Sequence, residues 1–218
     1  MIRIVHIVNQ FFAGIGGEDK ADVAVGVTDG AAGAARGLQA HLGGRGQVVA
    51  TIHFGDNYFH EHKDEAMAAI SAELEKRRPD VIVAGPAFNA GRYGLACVEI
   101  CRAVSERMGL ACVTGMEPEN PAVTLYRDAH NEKVFLFPTA ETAAGMAGAL
   151  KTIAPLACRL AAGEQIGAAD AEGYLPRGIR RLSRADRPAV DRALDMLLAK
   201  VAGQPFETGP GLADEVSI

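Results

Sequence analysis

The sequence predicts an α/β protein: a mostly parallel sheet with helices on both faces, Rossmann-like and three-layered, followed by a carboxyl-terminal loop and helix appendage. Three observations carry this. Short β-branched runs alternate along the chain with helical periodicities, as strand–helix–strand units require. The run Asp80–Ala84 (DVIVA) is apolar at every position after Asp80, as strands buried on both faces are. Between Glu61 and Arg77, Ala66, Ile70 and Leu74 recur at every fourth position with charges between them, the spacing of one helix face.

Taken in order, Ile2–Val8 (IRIVHIV) is a β-branched run that stops at Asn9-Gln10 and reads as the first strand. From Phe11 to Gly46 the chain holds ten of its 25 glycines, too many for one regular element, although Ala31–Leu42 can form a short helix weakened by glycine. Gln47–Phe54 is the second strand, and the Glu61–Arg77 helix ends at Pro79. Asp80–Ala84 is the third strand. Gly94–Met108 is a helix with Ala96, Ile100, Val104 and Met108 on one side. Ala111–Thr114 and Lys133–Phe137 are the fourth and fifth strands. Thr139 is suited to cap a helix running to about Ala162 through Pro155. Beyond Gly163 the periodicity fades. Glu164–Arg184 reads as loop or hairpin, Arg187–Val201 as a last amphipathic helix and Ala202–Ile218 as an extended tail. The expected division is a substrate-side domain over 1–163 and an interface appendage over 164–218.

The composition bounds the function. With 218 residues, 49% of them hydrophobic and 22% charged, the chain can build a globular core. Its net charge of −5 argues against a nucleic-acid partner, which favours a basic excess. The densest basic stretch, Arg177–Arg187, is interrupted by Asp186 and reads as a solvated or interface segment. No apolar run approaches the ~18 residues of a membrane span, and Met1–Gln10 has no signal-peptide pattern, so a cytoplasmic protein is expected. Cys97, Cys101, Cys112 and Cys158 form no CxxC or zinc-finger spacing and are expected as free thiols.

In open α/β sheets, ligands bind beyond the carboxyl ends of the strands, and the unusual segments fall there. After the first strand come Asn9, Phe12, Gly16 and Gly17. After the second come Asp56, Asn57 and Tyr58. After the third come Phe88, Asn89, Arg92 and Tyr93. After the fourth come Met116, Glu117, Glu119 and Asn120. Glycine lets backbone amides approach a ligand, and the amide side chains both donate and accept. Gly14-Ile15-Gly16-Gly17 is out of register for a dinucleotide fingerprint, because Asp19 stands where the third glycine belongs. A P-loop and a G-x-S-x-G elbow are absent.

Each candidate has a plainer alternative. Arg92 either clamps a carboxylate or pins its own loop. Asp56 and Asn57 either face an ammonium group or make an Asx turn or helix cap, and for Asp56 the turn or cap is favoured. Glu117 and Glu119 serve as acid/base or cation ligands, or as ordinary loop carboxylates. Cys97 and Cys101 share a helix face, as a redox pair or as small core residues. His53, His60 and His62 suit solvated positions better than a metal site, and no metal is expected.

Several strings together resemble one family: VNQFFAGIGGEDKAD (Val8–Asp22), GDNYF (Gly55–Phe59), PDVIVAGPAFNAGRYGLAC (Pro79–Cys97), VTGMEPENP (Val113–Pro121) and EGYLPRGIR (Glu172–Arg180). They look like component B (selenoprotein B) of the glycine, sarcosine and betaine reductases, related to D-proline reductase subunits. The resemblance implies a substrate-binding half of a site for reductive cleavage of a C–N or C–S bond in a small amine. It implies a nucleophilic selenocysteine or cysteine on a partner subunit carrying the carboxyl-terminal half, since this chain ends at Ile218 without one. A pyruvoyl group on a further subunit takes part in the glycine and D-proline cases. No cofactor is expected in this chain itself, and a hetero-oligomer is expected. Two other functions remain open at this level: a non-catalytic small-molecule binding module, and a stand-alone thiol-dependent reductase or desulfurase using Cys97 or Cys101.

Overall fold

The structure is a computed structural model, and it describes residues 1–182, 187–206 and 215–217. In chain order, β1 (Ile2–Asn9) is followed by α1 (Gln10–Ala13), β2 (Gly26–Asp29), α2 (Ala35–His41), β3 (Gly46–Phe54), α3 (Asp56–Glu61) and α4 (Lys63–Arg77). Then come β4 (Val81–Phe88), α5 (Gly91–Met108), β5 (Ala111–Met116), α6 (Ala122–Asp128), β6 (Val134–Pro138) and α7 (Met146–Ala161). The appendage adds α8 (Ala169–Glu172), β7 (Arg180–Leu182), α9 (Ala189–Val201) and β8 (Glu215–Ser217).

Six strands form one sheet in the order β2-β3-β1-β4-β5-β6. All pairings are parallel except β2 with β3. Numbered among themselves in chain order, the five parallel strands run 2-1-3-4-5, a doubly wound order whose direction reverses between β1 and β4. The crevice beyond the carboxyl ends of those two strands is where such sheets bind ligands. A separate pair, β7 and β8, is antiparallel.

Both faces of the sheet are covered. On one side, Ile7, Ile52, Ile82 and Leu136 meet Ile70 and Leu74 of α4, Ile100 and Val104 of α5, and Val123 and Tyr126 of α6. On the other, Ile4, Val48, Val83 and Val113 meet Leu38 of α2 and Leu150, Ile153 and Leu156 of α7. Each fully buried aliphatic side chain contributes about 1.5–3 kcal/mol to this packing. β1 and β4 are buried along almost their whole length, which accounts for their near-continuous apolar sequence.

The structure departs from the expected elements in specific places. Gly26–Asp29 is an edge strand within the glycine-rich stretch, and the helix there is only Ala35–His41. Asp56–Glu61 forms its own helix before α4, β4 extends to Phe88, and α6 follows Pro121. Thr139 does not cap α7: its hydroxyl donates to the Ala140 carbonyl, and α7 starts after a short 3₁₀ turn at Ala143–Gly145. Pro155 does lie within an unbroken α7.

Arg177 is not a solvated member of a basic stretch. It is 5% exposed, its guanidinium lies 4.6 Å from the Phe135 ring centroid, and it donates to the Glu132 carbonyl. A cation on an aromatic face and a carbonyl acceptor make this burial tolerable. Packing therefore continues beyond Gly163: Ala169 and Tyr174 join the α2/α7 core, and Leu175 N–H donates to Leu136. Arg184 and residues 207–214 of the expected tail lie outside the described residues.

Candidate small-molecule site at the sheet switch point

The site begins with the end of β1. Asn9 caps α1, its Oδ1 accepting from Phe12 N at 3.0 Å, which turns the chain sharply after the strand. That leaves Asn9 Nδ2 free to donate to Asp56 Oδ2 at 3.0 Å. Gln10, 3% exposed, accepts from the Asp56 amide at 3.2 Å. Two consecutive side chains of the β1 loop therefore fix the residue that follows β3. Gly55 lets the segment at Ala21–Val23 pack against the same turn, because a Cβ there would stand 2.1 Å from the Ala21 carbonyl oxygen.

Of the turn or cap expected at Asp56, the cap is not formed by its side chain: Gly55 is the N-cap of α3 and no side chain bonds there. Its carboxylate instead turns toward β1. Burial raises its pKa, against the Asn9 hydrogen bond and the positive charge of Arg92, which lower it. Oδ2 is bonded to Asn9, whereas Oδ1 is buried with no hydrogen-bond partner. A buried acceptor in that state is costly unless a donor reaches it. Arg92, exposed at the start of α5, donates to Asn57 Oδ1 at 2.6 Å. A cleft of ≈ 250 Å³ adjoins the pair, lined by Asp56, Arg92, Phe59, His60, Lys63 and Leu95 among others.

The end of β4 supplies the opposite wall. Phe88 has φ 52°, a left-handed conformation unusual for a bulky residue, and such outliers cluster at functional sites. Its carbonyl accepts from Glu117 N at 3.0 Å and from Asn120 Nδ2 at 3.0 Å. The Phe12 ring centroid lies 5.8 Å from those of both Phe88 and Tyr93, so an apolar floor joins the β1 and β4 loops. His6, three residues before Asn9 on β1, is fully buried, with Nε2 2.6 Å from the Gly85 carbonyl. Burial holds its pKa down to about 4, so the ring is neutral and Nε2 carries the proton it donates.

The structure thus gathers Asn9, Phe12, Asp56, Asn57, Phe88, Arg92 and Tyr93 at the switch point, with Gly17 tied in through Gln10. Gly16 lies on the same loop, close against Lys20. Other candidates face elsewhere. Tyr58 stacks on His62 and donates to Glu65. Met116 is core, and Asn120, 2% exposed, is a clamp between loops. Glu117 accepts from the Glu119 amide at 2.7 Å within its own turn, and Glu119 is exposed. Asn89 is exposed, its amide bonded to Glu141.

Of the two alternatives for Cys97 and Cys101, their surroundings match the small core residue. Cys97 is 1% exposed, and burial pushes its thiol well up, as it does for Cys101. A thiol is a weak nucleophile when its thiolate is suppressed in this way. The Tyr93 hydroxyl, also buried, lies beside Cys97 without a well-formed hydrogen bond. Among the described residues, no cluster of His, Cys, Asp and Glu is arranged to hold a metal, and no helix is long and apolar enough to cross a membrane.

Two contributors escape a motif search. Gln10 has no distinguishing pattern beyond its place after a strand. His6 has one: a histidine inside the run IRIVHIV must be buried, and a buried imidazole needs a partner.

The fold defines an α/β protein, and the rim at its sheet switch point carries the candidate polar site. Its family follows from comparison with known sequences. The model of the glycine/sarcosine/betaine reductase selenoprotein B family matches residues 1–216, and the chain belongs to that family. It is 44% identical over 206 residues to the glycine reductase complex component B subunit gamma of Carboxydothermus hydrogenoformans, covering 94% of this chain and 46% of that protein. It is 42% identical to the sarcosine reductase complex component B subunit beta of Peptoclostridium acidaminophilum, covering 95% and 47%. It is 41% identical to the betaine reductase complex component B subunit beta of the same organism, again covering 95% and 47%. The chain spans about half the length of these curated relatives. No solved structure matches it.

Proposed function

We propose that this chain forms the substrate-holding half of a component B reductase site, acting on a small zwitterionic amine in a hetero-oligomer. The observation that carries this is the pairing of Asp56, with its unpartnered buried oxygen, and Arg92, linked through Asn57 at one rim. A carboxylate short of a donor suits an ammonium group, and a guanidinium suits a carboxylate. The substrates in the relatives' names, glycine, sarcosine and betaine, carry both charges. Betaine has no N–H, so its cation would satisfy Asp56 by charge alone.

Reductive C–N cleavage takes up two electrons and releases the amine, and it calls for a soft nucleophile at the carbon. All four thiols here are buried, which disfavours a stand-alone thiol enzyme. The selenol or thiol, and any pyruvoyl group, are assigned to other parts of the complex. In this role the chain orients the substrate and excludes water.

The test is activity of the assembled complex: dithiol-dependent release of ammonia from glycine, methylamine from sarcosine or trimethylamine from betaine. Arg92→Ala should raise KM roughly tenfold or more, since a charged hydrogen bond is worth about 1.5–3 kcal/mol. Binding of these compounds with no amine release by the complete complex would support a non-catalytic binding module instead.

A further inference from the structure

α9 differs from the other long helices. No residue of its Ala189–Val201 span is buried, whereas α4, α5 and α7 each bury a face against the sheet. Yet its sequence is patterned for burial. Val190, Leu194, Leu197, Leu198 and Val201 recur at helical spacing on one side and are 52–80% exposed. Asp191, Asp195 and Lys200 occupy other positions, and Asp195 is paired with Arg187. An amphipathic helix whose apolar stripe is left exposed among the described residues has the pattern of half an interface.

Three observations identify what covers it. The family match runs from residue 1 to 216, so α9 lies inside the family's own pattern and is not an unrelated extension. The matched part makes up only 46–47% of each relative described above, so more than half of a component B subunit must find a place beside this fold. Both faces of the main sheet are already occupied by helices, and among the described residues the α9 stripe holds five of the ten exposed large hydrophobic side chains, on one helix face. A second copy meeting α9 alone would offer only five apolar side chains from each partner, against the roughly 20–30 residues a side of a stable interface.

We propose that the α9 stripe is the seat of the remaining portion of component B, the portion corresponding to the unmatched length of the relatives, whether it is a separate polypeptide or joined to this one. This rests on the proposed function, because that portion would bring the nucleophile to the rim.

The experiment places a photo-crosslinking amino acid at Leu194 of the full chain, produced together with the other members of its complex, with Glu75 on the exposed face of α4 as control. The expected result is an adduct from Leu194, and not from Glu75, to a sequence aligning with the unmatched portion of the relatives. Adducts to a second copy of this chain, to an unrelated protein, or at the Glu75 background level would overturn the proposal. A second variant guards against ambiguity. Leu194→Asp with Leu198→Asp alters exposed positions, so this fold should keep its melting temperature while losing co-elution with a separate portion, or gaining limited-proteolysis cleavage between the two where they are joined. Unchanged co-elution of a separate portion, or an unchanged cleavage pattern of a joined one, in a folded double variant would also overturn it. Retention of ligand binding by the double variant separates failure of the interface from failure of the Asp56–Arg92 site.

Discussion

Asn120 reaches from the loop after β5 to the carbonyl of Phe88, donating through Nδ2 at 3.0 Å to the one non-glycine residue of β4 held at positive φ. The same amide group donates to Ala90 at 3.3 Å, and its Oδ1 accepts from Ala122 N at 3.0 Å. One buried side chain therefore fixes the end of β4, the start of α5 and the start of α6. Gly94 makes room for it, since a Cβ there would stand 2.7 Å from Asn120 Oδ1.

Asn120→Ala should cost about 1–3 kcal/mol, the penalty of leaving buried backbone groups without partners. In a chain of this size that is a fall of roughly 2–12 °C in Tm, readable by thermal unfolding. No change in Tm would remove the clamp from the account.

His6 predicts an acid-sensitive fold. Its pKa falls from the usual 6.5 to about 4 on folding, so the unfolded chain binds the proton more readily than the folded one. The stability His6 confers is complete above pH ~6.5 and is lost as pH drops toward about 4, on the order of 3 kcal/mol in all. His6→Gln keeps an amide donor for the Gly85 carbonyl and should flatten this part of the pH–stability curve. Denaturation midpoints at pH 7 and pH 4.5 for both forms provide the check.

Asp56→Asn tests the opposing demands on the site. Burial raises the Asp56 pKa, so its folded contribution is unfavourable when ionised and worsens as pH rises through the window above the usual carboxylate value. Removing the charge should leave stability at pH 7 equal or higher while weakening binding of a cationic amine by tenfold or more. A variant that is less stable and binds as before would contradict both halves of this prediction.

The sheet was largely readable because β1, β3, β4, β5 and β6 are short β-branched runs punctuated by turn residues, a pattern that local sequence carries. β2 was not, since an edge strand of four residues buries little and needs no apolar signature. α6 was hidden by its length of seven residues and by Pro121 before it. At the site, glycine-rich loops beyond the strands pointed to the correct rim, but not to the direction of each side chain. Asn9 and Asp56 are 47 residues apart, and only the β1–β3 pairing makes them neighbours. Glu117, Met116 and Asn120 look equally functional in sequence, and only tertiary contacts show that two of them serve their own loops or the core, and that Asn120 serves as a clamp.

The proposed grip of the β1, β3 and β4 loops on a small zwitterion, between Asp56 and Arg92, can be read by a backbone amide NMR titration of the intact chain with glycine betaine. Saturable shift changes should be confined to the amides of Asn9–Gly17, Asp56–Tyr58 and Phe88–Arg92, and be lost in the Asp56→Asn, Arg92→Ala double variant. Shifts centred elsewhere, or none at millimolar ligand, would contradict it.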